Sequence, residues 1–139
     1  MGAGIYPAKY EFYSDEANCD DATTPDYVVY NTGLAGSATQ PNIVAYDNLY
    51  SGCPTTSVPV PNVYWQYFTG GTILTNPVLS LDGTQVAFVQ TNASSQAQLV
   101  VLKWAKGLAV MTPTSVSAAA YPSCAAPCMT VIGRFRSLL

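Results

Sequence analysis

The chain has 139 residues, of which 49% are hydrophobic and only 9% are charged, and its formal net charge is −3. Soluble domains typically carry about 25% charged residues, so this composition indicates large apolar faces, buried within the fold or between copies of it. An acidic chain with five cations lacks the basic face that binding to nucleic acid requires. The absence of histidine excludes Ser-His-Asp and Cys-His catalysis and His-based zinc sites.

No apolar run approaches the roughly 18 residues of a membrane-spanning helix. The N-terminus lacks the basic and apolar regions of a signal peptide. We therefore expect neither a membrane span nor a signal peptide in this chain.

Short β-type segments follow one another along the chain, separated by turn residues. The stretch 95–111 is not predicted to be a helix, because its apolar residues form one contiguous run without a 3.6-residue period. The predicted strands are 5–12, 26–31, 42–47, 63–68, 77–81, 85–91 and 98–104.

An internal repeat relates the first half of the chain to the second. Val28-Val29-Tyr30-Asn31 aligns with Ala87-Phe88-Val89-Gln90, and Ile43–Asp47 aligns with Leu99–Lys103. Tyr6-Pro7-Ala8 aligns with Asn76-Pro77-Val78. Three strands per unit and a fourth that completes it predict two antiparallel four-stranded units, which is the strand count of a propeller blade.

Residues 62–104 carry the motifs of such a blade. Trp65 is followed by Thr69-Gly70-Gly71, then by Asn76-Pro-Val-Leu-Ser80 and Asp82-Gly83. This run resembles the repeats of quinoprotein-type propellers, and 79–88 is similar to the repeat of TolB-type propellers, with Leu81 in place of the usual proline. The resemblance implies an all-β fragment of a bacterial propeller, of about two blades, and these motifs mark a fold and not a reaction.

The domain prediction follows from the repeat. Residues 1–68 form the first blade with an acidic insertion at 14–25, residues 69–112 form the second blade, and 113–139 form an irregular Cys-containing tail. The chain would then be truncated and its ring incomplete. Because exposed strand edges pair with other chains, we expect a homo-oligomer formed through those edges that completes the ring.

All four cysteines lie in loop-like contexts: Cys19, Cys53, Cys124 and Cys128. An even count in such loops favours disulfides and an extracytoplasmic location, periplasmic or secreted. Three pairings remain open, although the short spacing between Cys124 and Cys128 suggests a local loop. Free thiols or a metal site are the alternatives.

Most of the carboxylates are concentrated in residues 11–26. Because hard cations such as Ca²⁺ take several oxygen ligands, this cluster is a candidate calcium site, although it lacks the glycine and terminal glutamate of an EF-hand loop. The alternative is a solvated acidic insertion. The predicted metal ligands are Asp15, Glu16, Asp20, Asp21 and Asp26.

Aromatic residues are abundant around Trp65 and Trp104. Packing between blades is the preferred interpretation of these two tryptophans. A platform for a small molecule or a polysaccharide, built from Tyr64, Trp65 and Tyr67, is the alternative.

Two functions compete on these observations. The first is an extracytoplasmic propeller-type binding or scaffold module without catalysis. The second is a Ca²⁺-dependent hydrolase of lactones or esters, by analogy with six-bladed calcium lactonases, in which a bound ion activates water without histidine. No quinone cofactor is expected, since quinoproteins hold it at the centre of a complete ring.

Overall fold

A computed structural model describes residues 5–11, 17–19, 25–53 and 61–135. Within these ranges the chain forms strands and one short 3₁₀-helix, so the all-β prediction is confirmed. The strands are β1 (Ala8–Tyr10), β2 (Tyr27–Asn31), β3 (Ile43–Asp47), β4 (Asn62–Tyr67), β5 (Thr72–Ile73), β6 (Val78–Leu79), β7 (Gln85–Thr91), β8 (Ala97–Lys103), β9 (Gly107–Met111), β10 (Thr114–Val116) and β11 (Cys128–Phe135), and the 3₁₀-helix spans Tyr121–Ser123.

The strands form two mixed sheets. In the described residues the first sheet has the order β1-β2-β3-β4-β9, in which β1 to β4 are an antiparallel meander and β9 pairs with β4 in parallel. The second sheet has the order β10-β11-β8-β7-β5, and β6 pairs with β7 beside β5. Here β6, β7, β8 and β11 are antiparallel, and β10 pairs with β11 in parallel. The two sheets do not form a closed propeller.

The sheets stack with equivalent strands in the same direction. At the start of β2, the Tyr27 hydroxyl donates to the carbonyl of Gly83, just before β7. At the end of β2, the Asn31 side chain donates 3.0 Å to the carbonyl of Thr75, whose hydroxyl accepts from the Val89 amide near the end of β7. β1 lies against β6. The first strand of one unit, β1, therefore lies over the first strand of the other, β6, and β2 runs in the same direction as β7.

The hydrophobic core lies between the two sheets. The first sheet contributes alternate residues of β2 and β3 and, around an irregularity in β4, Tyr64, Trp65 and Tyr67, and the second contributes alternate residues of β7 and β8 with Met129 of β11. This alternation is the period of two that a strand imposes on its side chains. Trp104, at the end of β8, stacks on Trp65 of β4 with ring centroids 5.8 Å apart.

The chain crosses from the first sheet to the second at Thr69-Gly70-Gly71. The buried Thr69 hydroxyl accepts from the Asn42 amide at 2.8 Å and donates to the Gln90 side chain at 2.6 Å. Gly70 has a φ of +86°, which glycine adopts without strain. Gly71 packs directly on Gln90 and on the backbone of β7. The Thr-Gly-Gly run is thus a crossover that binds both sheets.

Most predicted strands are present with nearly the predicted bounds. The segment 85–91 coincides with β7, and the non-helical prediction for 95–111 is confirmed by β8 and β9. Two features differ from the expectations. The segment 113–139, expected to be irregular, contains β10, the 3₁₀-helix and the eight-residue β11. The parallel strands β9 and β10 also depart from the expected purely antiparallel units.

No helix in the described part of the chain is long and apolar enough to cross a membrane.

Replacing Gly71 with alanine should lower the free energy of unfolding by about 1–3 kcal/mol, the usual cost of overpacking a tight site. A Cβ at this position would clash with the carbonyl oxygen of Thr91 and lie 2.9 Å from Gln90 Cδ. Gly52→Ala is the matched control, because a Cβ there meets nothing within 4 Å. Urea titration of both variants measures the difference, and equal losses would contradict the crossover packing.

Candidate functional site

An apolar groove lies on the face of the first sheet that points away from the core. Its floor is Val28 and Val44, and its walls include the rings of Tyr30 and Tyr46, whose centroids are 6.2 Å apart. The cavity has a volume of about 450 Å³ and is also lined by Asn31, Thr32, Leu49 and Pro61. We call this surface, formed by Val28, Tyr30, Val44, Tyr46, Leu49 and Pro61, the groove face.

The groove exists because β2 and β3 are apolar on both sides. Tyr27 and Val29 point into the core, while Val28 and Tyr30 alternate with them and point into the groove. A strand with one solvated face would carry polar residues at these alternate positions. The groove face is therefore a second apolar surface on a sheet whose other side is already packed.

The predicted aromatic platform has a different position. Trp65 and Tyr67 have no exposed surface, and Tyr64 is buried with them in the core between the sheets. Buried rings present no face to a ligand, so this placement agrees with the packing interpretation and does not suit a polysaccharide or small-molecule platform.

Hydrogen bonds fix the orientation of this aromatic cluster. The Tyr67 hydroxyl donates 2.7 Å to the carbonyl of Ala105 and accepts from its amide at 2.8 Å. The Trp104 indole donates 2.8 Å to the carbonyl of Gly83, which also accepts from Tyr27. Burial raises the pKa of Tyr67 to about 12, because a charged phenolate would lose its hydration there.

Asp26, one of the predicted metal ligands, is buried and already bonded. Its Oδ2 atom accepts from the Tyr50 hydroxyl at 2.7 Å and from the Asn18 amide at 3.2 Å. The Asp26 amide returns a bond of 3.0 Å to the carbonyl of Asn18. These bonds close the base of the acidic insertion, so the carboxylate has a structural role in the described part of the chain.

The remaining predicted ligands lie outside the described residues: Asp15, Glu16, Asp20 and Asp21. Among the residues that the structure describes, no group of three or more His, Cys, Asp or Glu side chains is placed to hold a metal ion. The calcium site stays a prediction.

The cysteines form two disulfides, Cys19–Cys53 and Cys124–Cys128. The first joins the base of the acidic insertion to the turn after β3, close to Asp26 and Tyr50. The second closes the short loop before β11. Disulfides persist in oxidising compartments, so the pairing of all four cysteines is typical of an extracytoplasmic protein.

The groove face was not predicted from the sequence, although four of its six residues (Val28, Tyr30, Val44 and Tyr46) lie in predicted strands. The signal was present as uninterrupted apolar character in Val28-Val29-Tyr30 and Ile43-Val44-Ala45-Tyr46. Such runs are typical of strands covered on both faces. Sequence alone does not assign which alternate set lies in the core and which forms a groove.

The comparisons with known proteins returned nothing: no protein-family model matches the chain, and neither a curated protein nor a solved structure matches it. The functional argument therefore depends on the groove, the sheet stacking and the disulfides.

Removing the Cys19–Cys53 disulfide should destabilise the protein more than removing Cys124–Cys128. The sequence separations are 34 and 4 residues, and the entropy of loop closure predicts losses of about 4 and about 2 kcal/mol. Denaturant titration of the Cys19→Ser/Cys53→Ser and Cys124→Ser/Cys128→Ser variants measures both. A larger loss from the Cys124–Cys128 pair would contradict the expectation that the longer loop gives the larger stabilisation.

Stability should fall as pH rises from about 10 to about 12. In this window Tyr67 ionises in the unfolded chain and stays neutral in the fold, so the unfolded state gains up to about 1.4 kcal/mol per pH unit from this residue. Tyr67→Phe should therefore reduce the slope of the unfolding free energy against pH in this window by up to about 1.4 kcal/mol per pH unit, the contribution of one proton. The same variant between pH 7 and pH 9 is the control, where the slope should be unchanged. An unchanged slope above pH 10 would show that the Tyr67 phenol ionises equally in both states.

Proposed function

We propose that the protein is a non-catalytic, extracytoplasmic binding or scaffold module of the β-propeller type, and that the groove face is its binding surface. The groove itself carries the proposal. It is an open apolar cavity lined by the buried Val28 and Val44 and the partly exposed Tyr30 and Tyr46, on a sheet whose opposite side already forms the core. Concave apolar surfaces with this kind of lining are where ligands bind.

The stacking of the sheets supports the propeller-type interpretation. Each sheet contains four antiparallel strands in sequence order, β1 to β4 in the first and β6, β7, β8 and β11 in the second, and the two four-stranded units stack in the same direction. Blades of a propeller repeat in this manner around an axis. The Thr69-Gly70-Gly71 run connects the two units, and Asp82-Gly83 forms the turn between the first two strands of the second unit.

The disulfides support the extracytoplasmic part of the proposal, because a reducing compartment would keep the thiols free. A periplasmic or a secreted protein would satisfy this condition equally.

No observation in the described residues favours the Ca²⁺-dependent hydrolase over the binding module. Asp26 is occupied by Tyr50 and Asn18, and its partners in the predicted site lie outside the described ranges. We therefore do not propose a catalytic centre.

A neutral apolar dye, Nile red, tests the groove directly. At submicromolar protein concentration the dye should bind the wild-type protein, and Tyr46→Lys should weaken binding by about tenfold or more, since it places a charge in an apolar cavity. Leu81→Lys is the matched control, because Leu81 is fully exposed in the turn before β7. Circular dichroism establishes that each variant is folded.

Equal dye affinity in the two variants would place the apolar site elsewhere and contradict the proposal. The same titration with EDTA should give an unchanged affinity, and a lactone or ester assay should show no turnover. Hydrolysis that EDTA abolishes would replace the binding module with the metal-dependent hydrolase.

A further inference from the structure

The strand register relates the two four-stranded units, β1 to β4 and β6, β7, β8 and β11, residue by residue. The core row of the first sheet, read across β1 to β4, is Ala8, Val29, Ala45 and Trp65. The row that starts from the repeat equivalent of Ala8 in the second sheet, read across β6, β7, β8 and β11, is Val78, Ala87, Val101 and Thr130. The sequence alignment had already matched Ala8 with Val78 and Ala45 with Val101. The register differs from the sequence alignment only in β2, where the residue equivalent to Ala87 is Val29 and not Val28.

The two equivalent rows differ in which face of their sheet they occupy. Ala8, Val29, Ala45 and Trp65 face the core, whereas Val78, Ala87 and Val101 lie on the far face of the second sheet. This follows from the stacking: two units with the same strand order and direction must meet through opposite faces. The packing between the sheets is therefore head-to-tail, and in the described residues no third sheet packs against the groove face or against the far face of the second sheet.

The groove face of the first sheet is equivalent to the core face of the second. In the register Val28 is equivalent to Val86 and Val44 to Val100. Tyr30 is equivalent to Phe88 and Tyr46 to Leu102. In the second sheet these four positions receive the first sheet and are buried. The groove face thus carries apolar side chains at the positions that, in its repeat partner, already pack against a sheet.

The far face of the second sheet is equivalent to the core face of the first. Ile43 and Tyr67 in the core are equivalent to Leu99 and Ile132 on this face. Exposed apolar side chains occur here, with Val78 65% and Ile132 44% exposed. We call Val78, Ala87, Val89, Leu99, Val101 and Ile132 the outer face of the second sheet.

One end of this outer face is already covered. The Tyr121 hydroxyl of the 3₁₀-helix donates to the Gln85 side chain at 2.8 Å, and Lys103 Nζ donates to the carbonyls of Tyr121 and Pro122 at 2.9 Å. The lysine charge is therefore bonded beneath the helix and does not lie on the apolar row. Thr130, which is equivalent to Trp65 of the first sheet, is also buried, so the cover extends to this position.

We infer that the occupant of the groove face is a second copy of this chain, which docks through the outer face of its second sheet. The inference rests on the proposed function, since it names the partner of the groove. It repeats between copies the sheet-on-sheet packing that each copy already contains. Such a head-to-tail interface leaves one free face at each end, so it extends into a closed ring or an open filament.

Faces suit this association better than strand edges. In the described residues the edge strands β1, β5, β6 and β10 have only two or three residues each, and β9, the other edge of the first sheet, has five, so the edges offer few unpaired backbone groups to another chain. The apolar faces extend across several strands.

Three variants test the inference by sedimentation velocity and light scattering. Tyr46→Lys alters the groove face, Val78→Lys/Ile132→Lys alters the outer face of the second sheet, and Leu81→Lys is the control in an exposed turn. Wild type and control should associate as concentration rises, and each face variant should weaken association by about tenfold or more. Circular dichroism confirms folding of every variant.

Mixing the two face variants distinguishes a head-to-tail interface from the alternatives. Each retains one intact face of the opposite kind, so an equimolar mixture should form a 1:1 complex and no larger species. The inference would be overturned if Val78→Lys/Ile132→Lys associates like the wild type, or if the mixture of the two variants stays monomeric.

Nile red separates failure of this inference from failure of the proposed function. In the wild type, bound dye per chain should decrease as the protein associates, because the second copy fills the groove. A wild-type protein that stays monomeric at high concentration and still binds the dye in the groove would overturn the self-association and leave the binding module standing. Loss of both would overturn both.

Discussion

The buried hydrogen bonds of Thr69 hold the architecture together at the point where the chain changes sheets. Thr69 accepts from Asn42, which precedes β3, and donates to Gln90, near the end of β7. The Gln90 amide in turn donates 3.1 Å to the carbonyl of Thr69. A buried polar group that loses its partner costs about 1–3 kcal/mol, so this network strongly prefers one arrangement of the sheets. The direction of stacking, and with it the separation of core face from groove face, depends on this contact.

Sequence periodicity was a good guide wherever a strand has one apolar face in the core. β7 alternates strictly between buried and half-buried residues, and its bounds were predicted without error. The prediction was weaker at β9, which is largely exposed and joins its sheet through a partner more than forty residues earlier in the chain. Local propensity carries little information about such a pairing. β11 contains the run Met129-Thr130-Val131-Ile132, which has β character, but the nearby prolines and cysteines suggested a loop.

Local sequence patterns also explain why the groove face was not predicted. A strand that is apolar at every position reveals that both faces are covered, and it does not reveal by what. Tyr64, Trp65 and Tyr67 were recognised as important aromatic residues, yet their side chains pack between the sheets. Tyr30 and Tyr46 lie in the aligned repeat segments but were not predicted to bind a ligand, because nothing local distinguishes an aromatic side chain in a core from one that lines a groove.

The two late strands β9 and β10 have a consequence for how the molecule holds together. After finishing β8 in the second sheet, the chain returns to the first sheet as β9 and then adds β10 and β11 to the second. Neither sheet is therefore assembled from one continuous stretch. A cut near residue 69 would separate β9 from the first sheet, and a cut near residue 105 would remove β9 from the first sheet and β10 and β11 from the second. The repeat looks divisible when read as sequence. In the fold, the second half of the chain supplies β9 to the first sheet, so we expect the two halves to unfold together.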